Sequence, residues 1–135
     1  MQEPSNFRRG SAETTSKRQR ALASGLRAET IAALYLRLKG YRILARRYAI
    51  SGGEIDLIAR KFDSIIFIEV KVRPDLISAL TAIDAGKCRR ISRAGAHWLA
   101  ANPWAARLNL RGDAVYLVPW HWPRHARAAL ALNIG

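Results

Sequence analysis

The amino-acid sequence predicts an α/β domain, a mixed β-sheet flanked by helices in the order helix, three strands, helix, strand. Three observations lead there. Apolar residues recur at helical spacing just before Gly40, extended runs follow one another between Tyr41 and Arg73, and a second helical pattern precedes a final β-like run, "DAVYLVPW". A chain of 135 residues holds one core of ordinary size. The expected division is a flexible basic arm over residues 1–21, the folded domain over 22–120, and a C-terminal helix or tail over 121–135.

Each element has its own signal. Residues 1–20 are polar, basic and rich in Ser, Thr and Gln, with too few apolar groups to offset the entropy lost on ordering. Ile31, Leu34, Tyr35 and Leu38 mark the first helix, which begins at about Leu22, by their i, i+3, i+4, i+7 spacing, and Gly40 stops it. Ala32, Ala33 and Leu36 make its other side apolar too, which predicts a helix sandwiched between layers. "YRILARRYAI" is extended, Ser51-Gly52-Gly53 is a turn, and a strand from about Glu54 to Arg60 completes a hairpin. After the turn "KFDS" comes "IIFIEVKVR", the most β-like run of the chain, ended by Pro74. Between Ser78 and Ala101 a helical stripe of Cys88, Ile91, Gly95 and Trp98 runs beside Lys87, Arg89, Arg90 and Arg93, and Gly86 is a point where that helix could divide. Pro119 ends the last strand.

Charge narrows the function classes. Lys and Arg number 23 against 10 Asp and Glu, a formal net charge of +13, which calls for a polyanionic partner, nucleic acid before all others. No stretch approaches the roughly 18 consecutive apolar residues of a membrane span, and the N-terminal residues lack the apolar core of a secretory signal, so a cytoplasmic protein without a membrane partner is expected. The single cysteine, Cys88, excludes an internal disulfide and a cysteine-based zinc site.

The strands also carry charges where an unpaired one is costly. Side chains alternate faces along a strand, so Glu69, Lys71 and Arg73 share a face with Ile65 and Phe67, while Glu54 and Asp56 share one with Ile58. If the two strands pair as a hairpin, one register sets Asp56 beside Glu69 with Lys71 a pleat away. Two adjacent carboxylates repel unless a proton, a cationic side chain or a metal ion intervenes. Oxygen ligands from Asp56 and Glu69, a backbone carbonyl and waters would suit Mg²⁺ or Mn²⁺. Such an ion lowers the pKa of bound water and neutralises charge growing on a phosphate, and Lys71 could orient or deprotonate that water or stabilise the transition state. A bare E-x-K is common by chance, its plain reading being Glu69 paired with Lys71 or Arg73 on a solvated face. The strand-like flanks, the Gly-Gly turn and the basic chain favour the site.

These residues resemble a known pattern. Asp56 followed by Glu69-x-Lys71 looks like the D-x(n)-E-x-K signature of the restriction-endonuclease-like, PD-(D/E)-x-K nuclease superfamily. More closely, "GEIDLIA" followed by "FIEVKVR" resembles the YraN-like family of small, largely uncharacterised bacterial proteins, and the likeness runs from about Gly25 to Val118. The resemblance implies a restriction-endonuclease-like core, with Asp56 and Glu69 as metal ligands, Lys71 as the catalytic lysine and Glu29 as the acidic residue on the first helix. It implies Mg²⁺ or Mn²⁺ as cofactor and DNA, ahead of RNA, as substrate. The expected function is a metal-dependent nuclease hydrolysing DNA phosphodiesters, at branched or irregular structures by analogy with small resolvases of that fold. The alternative is a catalytically silent nucleic-acid binder. The chain departs from the pattern at Arg46 and Arg47, where an Asn is usual, and at Gly112, where a Phe usually precedes Asp113. Cutting both strands would call for a homodimer, for which the sequence marks no interface.

The other candidates carry plainer readings. Glu29 has Ala32 and Ala33 as helix neighbours, so it takes either a metal-site role or an ion pair with a distant Arg. Glu54 has the parity of Asp56 but sits at a turn. Lys87, Arg90 and Arg93 could hold phosphates beside the cleft or line a solvated helix edge. Arg111 and Asp113 read as a structural ion pair, Cys88 as a small buried hydrophobe, and His97, His121 and His125 as surface or interface residues. Trp98 reads as core. Trp104, Trp120 and Trp122 lie near turns, where packing at the core or its rim is the default and base stacking the alternative.

Overall fold

The computed structural model describes residues 27–75, 77–78 and 85–134. The expected N-terminal arm and the start of the first helix lie outside these residues. Helix α1 covers residues 27–38, and strands β1 (Arg42–Ile50), β2 (Gly53–Lys61) and β3 (Ser64–Val72) follow it. Helix α2 (Ala85–Ala101) carries Gly86 in its first turn, the stretch before it from 79 to 84 lying outside the described residues, and β4 (Asn109–Leu117) and a short β5 (Arg124–Ala126) follow. The strands form one sheet in the order β1-β2-β3-β4-β5. The first three are antiparallel meander neighbours, whereas β3 and β4 pair in parallel because α2 carries the chain back to the start of the sheet. The predicted mixed sheet with flanking helices is the observed architecture. Among the described residues the sheet gains only β5 beyond the expected elements, antiparallel to β4.

Two apolar clusters, one on each face, hold the layers together. Ala32, Ala33 and Leu36 of α1 pack with Leu57, Ala59, Ile66, Ile68 and Val115. Ile91, Ala94, Trp98 and Leu99 of α2 pack with Ile55, Ile58, Ile65 and Phe67. Strand β3 alternates between them as period two requires. The face of α1 that meets the sheet is the alanine-rich one. Ile31, Leu34 and Leu38, the stripe expected to be core, are exposed, Leu38 to 88%. Small side chains let the helix approach the sheet closely, so the helix covers one face instead of being sandwiched.

Alternation slips once in β2. Ile55 joins the α2-side cluster and Leu57, two residues on, joins the α1-side cluster. The residue at the slip is Asp56. On the turn side of it, Gly53 meets α2 so tightly that a Cβ there would lie 2.4 Å from the Arg90 carbonyl oxygen. Only glycine allows that approach.

The C-terminal residues form an extended tail, not a helix. It crosses β4, where the Leu130 N–H donates to the Gly112 carbonyl at 3.1 Å and the Leu130 side chain is buried. A Cβ on Gly112 would lie 2.7 Å from that of Leu130, so the tail occupies the space that the phenylalanine expected by resemblance would need. Among the described residues no helix is long and apolar enough to cross a membrane.

Candidate active site

Period two along β3 puts Glu69 and Lys71 on one face, the face that α2 covers, and both are buried. The helix brings a second ammonium from its first turn. Glu69 Oε1 accepts from Lys71 Nζ at 3.2 Å and from Lys87 Nζ at 3.0 Å. Lys71 is nearly enclosed, while the Lys87 side chain stays 33% exposed at the mouth. Burial, then the neighbouring Lys87 ammonium, lower the Lys71 pKa from the usual lysine range, and Glu69 opposes them.

Asp56 arrives from β2. The β2–β3 ladder is regular from Lys61 and Ser64 to Leu57 and Ile68, and its continuation would pair Asp56 with Glu69. There the strands part, and Asp56 Oδ2 accepts the Val70 backbone N–H at 2.8 Å in place of a strand carbonyl. Burial, then the like charges of Glu69 and Glu29, push the Asp56 carboxyl up to about 7, against the pull of the Val70 N–H.

Glu29 enters from α1. Its Oε1 faces Arg47 Nε at 3.8 Å, a long contact, while Oε2 is buried with no hydrogen-bond partner among the described residues. Burial raises its pKa, with Arg47 and Arg46 opposing and the Glu54 and Glu69 charges adding. Glu29, Glu54, Asp56, Glu69, Lys71 and Lys87 together line one cavity of about 210 Å³. The sequence-predicted core of the site is thus brought together, with Glu54 at its edge.

Asp56 and Glu69 are the residues that could hold a hard dication. Glu29 Oε2, unpartnered among the described residues, and the gathering of Glu29, Asp56 and Glu69 in one sheltered cavity leave acceptor oxygens for a cation. Among the described residues no three acidic, His or Cys side chains converge as one ligand cluster. An ion would therefore draw on Asp56 and Glu69 and complete its shell with backbone carbonyl and water, the donor set of Mg²⁺ or Mn²⁺.

Other candidates sit elsewhere. Arg90 and Arg93 lie further along α2, exposed, beside the β1–β2 turn and away from the cavity lining; Arg93 Nη1 lies 3.6 Å from where a Gly52 Cβ would be. Arg111 grips Asp113 with two bonds of 2.8 Å, the structural pair expected. His125 is not a surface residue: its Nε2 bonds Asp113 at 2.6 Å and its side chain is 1% exposed. His97 hydrogen-bonds the Tyr48 hydroxyl. Sequence reasoning missed the Val70 N–H and allowed an arginine for Glu29 without naming Arg47, because backbone groups and surface arginines carry no motif. It reached Lys87 but not its grip on Glu69, which depends on how α2 docks.

Comparison with known proteins adds the following. The family model described as "Uncharacterised protein family UPF0102" matches residues 28–117, a span that contains every residue of the cavity. The chain is similar to a UPF0102 protein of Methylocella silvestris, 54% identical over 118 residues that cover 87% of this chain and 95% of the relative. A UPF0102 protein of Methylobacterium nodulans is 51% identical over 90% of this chain and 95% of its own length. One of Mesorhizobium japonicum is 47% identical over 85% and 92%.

Proposed function

The chain belongs to the uncharacterised family UPF0102, as the YraN-like resemblance leads one to expect, and since that description names no reaction, we propose from the site itself that the protein is a divalent-metal-dependent nuclease hydrolysing DNA phosphodiester bonds. One observation carries the reading. Glu69 Oε1 is shared by two ammonium groups in a cavity that also holds Asp56, so acid, acid and lysine meet where a phosphate can enter.

Each residue then has a task. Asp56 and Glu69 would hold Mg²⁺ or Mn²⁺, which when bound would acidify a water and neutralise charge growing on the phosphate. The Val70 N–H fixes the orientation of Asp56 by holding Oδ2. Lys71, buried beside Glu69, can orient the attacking water or place its charge against the pentacovalent transition state. Lys87, half-open at the mouth, can exchange part of its hold on Glu69 for a substrate phosphate. The net charge of +13 draws the polyanion in. Irregular or branched DNA as the preferred target rests on analogy of fold.

The test offers linear, supercoiled, branched and single-stranded DNA with Mg²⁺ or Mn²⁺ to the parent, Asp56→Asn and Lys71→Ala. Metal-dependent nicking that disappears in both variants while binding persists supports the nuclease. Tight binding with no cleavage under either metal replaces it with a silent DNA or RNA binder.

A further inference from the structure

The segment after β4 spends two tryptophans on solvent. Trp120 and Trp122 are 102% and 88% exposed, so neither contributes to the core, contrary to the expectation of core or rim packing. Trp120 also sits at φ 65 in a turn closed by the His121 N–H on the Val118 carbonyl at 3.1 Å, with Pro119 at the preceding corner. Glycine or asparagine is the ordinary occupant of that third position. Among the described residues nothing packs on the indole that this strained backbone presents, and strain of this kind points to function.

Its position says what covers it. In the parallel ladder Lys71 faces Tyr116 and Val72 faces Leu117, and the Arg73 N–H donates to the Leu117 carbonyl at 3.1 Å. Trp120 lies four residues past Tyr116, so chain geometry puts its Cα within roughly 19 Å of that of Lys71. Beneath the turn an apolar cavity of about 310 Å³ shares Ala28 and Val72 with the carboxylate cavity. Arg27 and Arg73 border the two.

We propose that Trp120 and Trp122 form a stacking platform for unpaired bases, next to the candidate active site, so that the substrate class is DNA with a single-stranded segment. An indole stacks on any base face without reading sequence, and flanking arginines hold the backbone. The placement rests on reading the carboxylate cavity as a DNA-processing site; the binding does not. Charge decides among occupants: a +13 chain, with Arg27 lining the cavity beneath the turn that carries Trp120, matches a polyanion better than a second copy of itself.

The test uses the parent and a Trp120→Ala/Trp122→Ala variant in EDTA, titrated with oligothymidylate and with blunt duplex DNA of equal length. Intrinsic fluorescence and the anisotropy of labelled DNA are read, with melting temperature as the check on folding. Oligothymidylate should quench the parent, and the variant should bind it about tenfold to a hundredfold more weakly with unchanged melting. Phe at both positions should restore part of that loss. Equal binding of oligothymidylate by variant and parent overturns the platform. So does a parent dimer that the variant turns into monomers, which would make the face an interface between copies. If quenching persists but the parent never cleaves with Mg²⁺ or Mn²⁺, the platform stands and the nuclease reading falls.

Discussion

Asp56 Oδ2 accepts the backbone N–H of Val70 at 2.8 Å, one step beyond the last regular pair of the β2–β3 ladder, Leu57 with Ile68. A side chain has taken the place of a strand carbonyl. Pairing between β2 and β3 therefore stops where the chain turns Asp56, Glu69 and Lys71 toward a common cavity, and the backbone holds the carboxylate in orientation before any ligand arrives.

If Asp56 and Glu69 hold a dication, metal binding must stabilise the fold. At a hundredfold excess of Mg²⁺ or Mn²⁺ over its Kd, the parent gains about 2 to 3 kcal/mol of unfolding free energy. Asp56→Asn should show no such gain. Calorimetry of both proteins with and without metal decides it, and equal shifts would show the ion binding elsewhere.

Lys71 and Lys87 share one carboxylate oxygen but differ in enclosure. Lys71→Ala should lower kcat by on the order of 10² to 10⁴ and leave DNA affinity nearly unchanged. Lys87→Ala should weaken DNA binding across all sequences and reduce the salt slope of the affinity by about 1. Identical salt slopes for parent and Lys87→Ala would remove the phosphate contact.

Asp113 is fully buried and bound by Arg111, His125 and the Ala128 N–H. Burial alone would raise its pKa; the His125, Arg111 and Ala128 hydrogen bonds outweigh it and hold the carboxyl at about 2. A depressed carboxylate stabilises the folded state above its unfolded pKa, near 4, and loses that contribution as pH falls through about 2. The linked contribution is about 2 kcal/mol. Asp113→Asn should cost about 3 kcal/mol at neutral pH, with the gap between variant and parent narrowing from pH 4 downward in denaturant titrations.

Gly53→Ala tests how α2 is set against the hairpin. The new Cβ would meet the Arg90 carbonyl oxygen at 2.4 Å and the Ala94 nitrogen at 3.0 Å, both helix backbone, which cannot yield by a rotamer change. A loss of about 1 to 3 kcal/mol is expected, together with reduced activity as Lys87 is carried away from Glu69. Unchanged melting and activity would show that α2 docks more loosely than its contacts imply.

Much of this was legible in the chain. Strand boundaries followed from Gly52, Gly53 and Pro74, and the shared face of Glu69 and Lys71 from a repeat of two. The first helix was legible as a helix but not in its facing. Its sequence carries an alanine-rich side and an Ile31, Leu34, Leu38 side, and burial chose the smaller residues because they let helix and sheet close up. The His125 bond to Asp113 was out of reach for a different reason, since β5 is too short to leave a pattern.

By itself the sequence determined that Glu69 and Lys71 share a strand face, because bond geometry imposes that alternation on a regular extended run. Only the tertiary structure decided that Asp56 leaves the ladder for Val70, that Glu29 and Lys87 reach the same cavity from two helices, and that Trp120 and Trp122 face solvent. Those outcomes depend on packing between segments far apart in the chain, and no local spacing encodes the angle at which a helix settles on a sheet.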